Sequence, residues 1–287
     1  MTENQKTLII LSPGFPGNEQ DSSCLPAQQS FVKSLNTIFP DLRVIILAFE
    51  YPFVRSEYDW FGNVIIPFAG RNRRKLFRLF MWQRIWRRLK KINNQANIIG
   101  LLSFWCTETA LIGKLFSKKF HLTHYCWILG QDARMGNKMI RLINPRPAEL
   151  VAMSDSLADE FYANYQIRPQ HIIPNGINPA IFSKNESERD IDISAAGSLI
   201  PLKRYDLLVD VIAEIIKSLP SLNAILCGKG EEEKKLKLLI EKSGLEKNIT
   251  LTGEISHAEV LQIMQRSKIF LHTSSYEGFS GACLEAL

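Results

Sequence analysis

The chain has 287 residues, which is enough for two domains that each bury a core of their own. With 46% hydrophobic and 22% charged residues it has the composition of a globular protein, and no apolar run approaches the about 18 residues of a membrane span. The five cysteines lie far apart without a C-x-x-C pair, which favours buried thiols over a zinc site or a disulfide framework. The first residues lack a signal-peptide layout, so we expect a cytoplasmic location.

The first half of the chain contains six apolar runs and one clear helical segment. Strands are predicted over residues 6–11, 43–49, 63–68, 97–104, 121–129 and 149–154, with a helix over 27–39. The loop after the first strand carries Gly14 and Gly17, which allow the backbone to approach a ligand closely. Their spacing is not the G-x-G-x-x-G of dinucleotide binders, and an ordinary Pro/Gly turn is the alternative.

Residues 71–91 combine ten cations with Phe77, Phe80, Trp82 and Trp86, and no Asp or Glu occurs over residues 60–107. Apolar residues recur there at helical spacing, which predicts a helix. A one-signed run with aromatic residues suits an anionic membrane surface. Nucleic acid would also be attracted, but no nucleic-acid-binding motif accompanies the run. The remaining alternative is a crossover helix whose aromatic residues belong to the core.

The predicted fifth strand is followed by Gly130, Gln131 and Asp132. Asp132 thus lies at the carboxyl end of a strand, where α/β sheets bind ligands. The chain then turns sharply over residues 171–177, and the composition becomes polar over 183–190. We place the domain boundary in this region, with one domain over residues 1–172 and a second over 173–287.

The second half restarts the alternation. Strands are predicted over 192–196, 223–227, 248–252 and 268–272, the last as a buried parallel strand, with helices over 231–243 and 258–265 and another that ends near 219. Alternating βα units on both sides of a polar segment predict an α/β protein with two Rossmann-like, doubly wound domains that face a cleft.

The last stretch runs from Glu277 through Gly278 and Gly281 to Glu285. A strand that passes through glycines into a helix presents backbone N–H groups, which favour a bound phosphate. A carboxylate beside a phosphate can accept hydrogen bonds from sugar hydroxyls, so the pattern indicates a nucleotide sugar. Alternatively, Glu277 is a solvated turn residue and Glu285 an acid near a helix start.

With these motifs assembled, the chain resembles the retaining, GT-B-fold glycosyltransferases of family 4. Residues 174–182 resemble that family's hinge motif, residues 197–203 its phosphate-clamp loop and residues 228–230 its short glycine turn. Glu277 and Glu285 match its E-x7-E motif. The resemblance is loose over the first half of the chain and specific over the second, where the four motifs occur in order.

The resemblance implies roles for particular residues. Lys203 would neutralise the donor diphosphate, Glu277 would contact the transferred sugar, and Glu285 would bind the ribose hydroxyls. Asp132 lies where acceptor-side catalytic residues occur in the family. The further positions expected to line the donor are Gly14, Gly17, Gly253, Glu254, Ile255, Gly278, Phe279, Ser280 and Gly281.

The sequence departs from the family at two positions. Ser198 stands where many members have an arginine, and Arg204 is the cation that could replace it; Leu129 stands where many have a histidine. Family members also continue beyond the position of Leu287, so the resemblance implies a partial sequence with an incomplete second domain.

The resemblance implies a hexosyltransferase that moves a sugar from a nucleotide diphosphate sugar to an acceptor hydroxyl, without a metal or another cofactor. We expect a glycan or lipid-linked acceptor in cell-envelope polysaccharide synthesis, a peripheral place at the inner face of a membrane, and no nucleic-acid partner. The alternatives are a sugar-nucleotide epimerase or phosphorylase on the same fold, and a catalytically silent nucleotide-sugar-binding protein.

Overall fold

A computed structural model describes residues 5–71, 76–182 and 188–287. Its contacts divide the chain into two compact units, Met1–Gly176 and Ile177–Leu287. The sequence places the boundary a few residues earlier, between 172 and 173. Part of the polar segment 183–190 lies outside the described residues.

The first unit is built on an eight-stranded sheet. Its strands are β1 (Lys6–Gly14), β2 (Arg43–Tyr51), β3 (Tyr58–Trp60), β4 (Asn63–Pro67), β5 (Asn97–Phe104), β6 (His124–Ile128), β7 (Leu150–Ala152) and β8 (His171–Ile172). Its helices are α1 (Pro26–Ile38), α2 (Leu76–Asn93), α3 (Glu108–Phe120), α4 (Met139–Ile143) and α5 (Asp155–Tyr165). The strand order is β3-β4-β2-β1-β5-β6-β7-β8, with β3 antiparallel to β4 and the other neighbours parallel.

Burial explains why β1 lies in the middle of this sheet. Ile9, Ile10 and Leu11 are all fully buried, as expected for a parallel strand that is covered on both faces. Helix α2 covers one face with Met81, Ile85, Leu89 and Ile92, which recur at helical spacing and are buried. The described part of the predicted basic helix therefore has one face in the core.

The second unit has a four-stranded parallel sheet in the order β11-β10-β9-β12. The strands are β9 (Ile191–Ala196), β10 (Ala224–Cys227), β11 (Ile249–Gly253) and β12 (Ser267–Phe270), and the helices are α6 (Tyr205–Ile215), α7 (Glu233–Lys242), α8 (His257–Gln265) and α9 (Gly281–Ala286). Two α/β units with mainly parallel sheets confirm the predicted fold class.

Three local predictions need correction. The short antiparallel strand β3 was not predicted, because three residues are too few to show a pattern. Strand β6 begins later than predicted, because α3 continues to Phe120 and ends at a left-handed His121. The prediction of a buried strand near the end of the chain is wrong. Strand β12 lies at the edge of its sheet, where Ile269 is 55% exposed.

Candidate functional site

Two loops at the carboxyl edge of the second sheet pack backbone to backbone. The loop after β9 begins at Gly197 and the turn after β10 contains Gly228 and Gly230. A Cβ on Gly228 would lie 1.9 Å from the Gly197 carbonyl oxygen, and one on Gly230 would lie 2.3 Å from that of Leu199. Leu199 also donates a backbone hydrogen bond of 3.0 Å to Lys229. The absence of side chains at Gly228 and Gly230 thus lets the turn after β10 pack directly against the backbone of the loop after β9.

The segment after β12 is tied to the turn that carries Lys203. Thr273 donates through Oγ1 to the Lys203 carbonyl over 2.8 Å, and the Ser275 amide donates to the Leu202 carbonyl over 2.9 Å. These bonds bring the side chains of Lys203 and Glu277 together, with 2.5 Å between Nζ and Oε1. Both side chains are only partly exposed, so water screens this pair less than a pair at the surface.

A third group, His272, joins this pair and was not predicted as a site residue. Its Nε2 lies 3.3 Å from Oε1 of Glu277, without the geometry of a hydrogen bond. Burial lowers the pKa of His272, and the negative charge of Glu277 opposes that shift only in part. The neutral imidazole can therefore act as a polar contact for a ligand at Glu277. The sequence signal that could have found it is its place at the carboxyl end of the strand predicted over 268–272.

Glu285 lies in α9 and contacts the first turn of α8. Its Oε1 is 2.8 Å from Nε2 of His257, and this hydrogen bond raises the pKa of His257. Ser280 caps α9, where its Oγ accepts a hydrogen bond of 3.3 Å from the Cys283 amide. Glu285 is therefore held by a partner that sequence reasoning did not find.

The remaining predicted donor residues are placed as follows. Arg204 forms a two-pronged ion pair with Asp206, with 2.8 Å between Nη2 and Oδ2, so its charge is already engaged there. Ser198 is exposed. Gly253 accepts a hydrogen bond of 3.0 Å from the Gly228 amide, which links the end of β11 to the glycine turn. Residues that are partly exposed are Ile255, Gly278, Phe279 and Gly281, while Glu254 is exposed.

In the first unit, Asp132 is buried and faces inward. Its Oδ2 accepts from the Cys106 amide over 2.7 Å, and its Oδ1 accepts from the amides of Leu129 and Gly130 over 3.1 and 2.9 Å. Burial raises the pKa of Asp132 to about 6, although these hydrogen bonds oppose the shift. The carboxylate thus fastens the loop after β6 to the end of β5, which is a positioning role.

The loop after β1 is organised by Asp21. Its Oδ2 accepts from the Gly17 amide over 3.0 Å and from the Tyr51 hydroxyl over 2.9 Å. Gly14 pairs with Tyr51 in the sheet. The Gly17 amide, which the sequence assigned to the donor, is thus engaged with Asp21.

Among residues 5–71, 76–182 and 188–287, no group of three or more His, Cys, Asp or Glu side chains is arranged to hold a metal ion. None of the helices in these ranges is long and apolar enough to cross a bilayer.

Comparison with family models identifies the chain. Residues 40–181 match Glycosyltransferase Family 4, and residues 177–287 match Glycosyl transferases group 1. The two matches together run from residue 40 to residue 287. The chain therefore carries a Glycosyltransferase Family 4 domain in its first part and a Glycosyl transferases group 1 domain in its second.

Relatives match parts of the chain. The chain is 32% identical over 117 residues to a subunit of phosphatidylinositol N-acetylglucosaminyltransferase from Homo sapiens, which covers 40% of the chain and 24% of the relative. It is 29% identical over 135 residues to the GtfA subunit of UDP-N-acetylglucosamine–peptide N-acetylglucosaminyltransferase of Streptococcus pneumoniae, which covers 47% of the chain and 26% of the relative. The chain thus spans about a quarter of the length of either relative.

Two solved structures show the same fold. Sucrose-phosphate synthase from Thermosynechococcus elongatus aligns with a TM-score of 0.75 at 16% identity, over 99% of this chain and 79% of that one. WaaG, a glycosyltransferase involved in lipopolysaccharide biosynthesis, aligns with a TM-score of 0.60 at 16% identity, over 98% of this chain and 78% of that one. These likenesses confirm the α/β GT-B fold.

Proposed function

We propose that this protein transfers a sugar from a nucleoside diphosphate to an acceptor hydroxyl, with retention at the anomeric carbon. The observation that carries the proposal is the Lys203–Glu277 pair, which lies within glycine-packed loops at the carboxyl edge of a parallel sheet. Such an edge is where α/β sheets bind ligands. The pair offers a cation for the diphosphate and a carboxylate for sugar hydroxyls.

The reaction breaks the bond between C1 of the sugar and the phosphate oxygen, and the electron pair leaves with the nucleoside diphosphate. The acceptor oxygen bonds to C1 from the same face, and its proton passes to the departing diphosphate. Lys203 stabilises the negative charge that develops on the leaving group, without a metal. Both cations are paired, Lys203 with Glu277 and Arg204 with Asp206. We assign the main electrostatic role to Lys203, because its partner belongs to the segment from Glu277 to Glu285 that we propose binds the donor.

Glu277 contacts the transferred sugar, and Glu285 accepts hydrogen bonds from the ribose hydroxyls. The backbone from Gly278 to Gly281 lines the donor, and Gly253 to Ile255 lie beside the base. In the first unit, Asp132 acts as a positioning residue for the acceptor side, since its oxygens are occupied by three backbone amides.

The names of the relatives suggest the donor and the acceptor. One relative is named for UDP-N-acetylglucosamine, and another for N-acetylglucosamine transfer to phosphatidylinositol. We therefore propose UDP-N-acetylglucosamine as the first donor to test, and a lipid-linked or cell-envelope glycan as the acceptor. The protein would act at the inner face of an anionic membrane.

The test incubates the protein with a panel of nucleotide sugars, with and without glycolipid acceptors, and measures the released nucleotide. We expect nucleotide release that depends on the acceptor. NMR should show the same anomeric configuration of the sugar in the product as in the donor. Release or epimerisation without acceptor would instead indicate a phosphorylase or an epimerase. Tight donor binding without turnover would indicate a silent binding protein. Glu277→Gln should lose the activity, whereas Lys229→Ala, which changes an exposed residue of the glycine turn, should retain it.

A further inference from the structure

An open groove lies at the amino edge of the first sheet. Its cavity volume is about 910 Å³. It lies where the neighbouring strands β2, β1 and β5 begin and where α1 ends. The apolar side chains that line it are Leu35, Ile38, Phe39, Pro40, Leu42 and Ile99. Gly14 and Asp132 lie at the opposite, carboxyl edge of this sheet, so the groove is separate from the edge where α/β sheets bind ligands.

Three of these apolar side chains face the solvent. Ile38 is 66% exposed, Phe39 54% and Ile99 45%. Single exposed apolar residues are normal on a protein surface, but three of them around one groove form a patch. The buried residues of α1 lie in its earlier turns and are Gln28, Gln29 and Val32. Ile38 and Phe39 can therefore be changed without removing a side chain from the core.

The groove also carries one charge of each sign. Lys6 and Asp41 both line it, and both are exposed. The side chain of Gln5 donates over 3.2 Å to the backbone carbonyl of Asp41, a bond that does not use the Asp41 carboxylate. Within residues 5–71, 76–182 and 188–287, neither Lys6 nor Asp41 forms an ion pair. A partner of a single charge would be attracted by one of them and repelled by the other.

We propose that this groove is a homodimer interface, on which a second copy of the chain docks about a two-fold axis. Such an interface brings the same patch of both copies together, so each patch has to be complementary to itself. Ile38 and Phe39 of each copy would enter the groove of the other. Lys6 of each copy would pair with Asp41 of the other. The apolar patch is then covered at the centre of the interface, and both charges are paired.

This dimer goes beyond the transfer reaction, because association can be measured without any donor or acceptor. The test is sedimentation velocity of the protein over a series of concentrations, where we expect a monomer that becomes a dimer as the concentration rises. Phe39→Ser should raise the dimer Kd about tenfold or more, because an aromatic side chain leaves the interface. The matched control is Leu142→Ser, which changes a side chain of α4 that is 66% exposed and lies outside the groove. It should associate as the wild type does.

The two charges allow a sharper test. Lys6→Glu alone would bring acidic groups together across the axis, and Asp41→Lys alone would bring basic groups together. Each variant should therefore dimerise more weakly than the wild type. An equimolar mixture of the two variants should form a heterodimer, because both contacts across the axis again join opposite charges.

Several results would overturn the proposal. These are a wild type that is monomeric at every concentration, a dimer that Phe39→Ser leaves unchanged, an equal loss in Leu142→Ser, or a mixture as monomeric as its components. A further one is a monomeric wild type that binds anilinonaphthalene sulfonate, with binding lost in Phe39→Ser, which would assign the groove to a small amphiphilic ligand. Circular dichroism of each variant checks that the fold is intact.

Discussion

Lys203 is held at both its backbone and its side chain by the segment that follows β12. Its ammonium donates to Glu277 over 2.5 Å, and its carbonyl accepts from Thr273 over 2.8 Å. In the proposed reaction, the donor diphosphate would meet a cation whose position is fixed in advance. Such preorganised charge stabilises a transition state without reorganising at the moment of reaction.

The first prediction is that Lys203→Ala lowers kcat more than it raises the donor KM. The charge on the diphosphate grows as the bond to the sugar breaks, so the contribution of Lys203 is largest in the transition state. Steady-state kinetics with varied donor will measure both constants, with Lys229→Ala as the matched control. A rise in KM with an unchanged kcat would mean that Lys203 stabilises the bound donor and the transition state equally.

A second prediction concerns Glu285→Ala, which should weaken donor binding. Losing a hydrogen bond to a charged group costs about 1.5–3 kcal/mol, which corresponds to about 10- to 150-fold in Kd. Calorimetric titration with the donor measures this, and Glu246→Ala changes an exposed glutamate of the same unit as a control. Donor affinity equal to that of the wild type would remove Glu285 from the site.

The fold class was predictable, because apolar runs that alternate with helical segments are typical of parallel sheets in α/β proteins. The glycine motifs were also visible in the sequence, because only a residue without a Cβ fits at Gly228 or Gly230. Side-chain partners were not visible. The pairing of Glu285 with His257, and of Arg204 with Asp206, depends on loop conformations that no local pattern encodes.

The sequence likewise could not show which apolar side chains of the basic helix α2 are buried. Its spacing shows one apolar face, but Leu76 and Phe80 look as suitable for a core as Met81 and Ile85 do. Only the position of α2 on the sheet shows which of them are covered.

A third prediction is that Gly230→Ala destabilises the second unit by about 1–3 kcal/mol. The new Cβ would lie 2.3 Å from the backbone oxygen of Leu199, so one of the two loops has to move. Denaturant unfolding followed by circular dichroism measures the change. Gly281→Ala is the control, because its Cβ would have no heavy atom within 4 Å. Equal stability of the two variants would mean that the glycine turn is not a packing requirement.

A fourth prediction follows from the raised pKa of Asp132, about 6. The native carboxyl binds its proton more tightly than the unfolded chain does, whose value is 3.8. Its contribution to stability is therefore full below about pH 4 and is lost as the pH rises through about 6. Asp132→Asn cannot titrate, so the difference in unfolding free energy between wild type and variant should shrink, or change sign, over that range.

The Asp132→Asn variant should also be less stable than the wild type at low pH, by about 1–3 kcal/mol. The amide oxygen can still accept from Leu129 and Gly130, but the amide nitrogen then faces the Cys106 N–H, which is also a donor. A variant as stable as the wild type at low pH would show that the loop after β6 does not depend on this carboxyl group.

The last prediction uses the His257–Glu285 pair. The hydrogen bond to Glu285 raises the pKa of His257, and burial opposes the shift. The native imidazole thus holds its proton more tightly than the unfolded chain. The stabilisation is fully present below the unfolded pKa of about 6.5 and is lost as the pH rises through the higher native value. In an NMR titration, the midpoint of His257 should fall in Glu285→Ala, because the partner that favours the charged form is gone. The destabilising effect of Glu285→Ala should likewise be greater at acidic than at alkaline pH. An unchanged midpoint would mean that Glu285 does not contact His257 in solution.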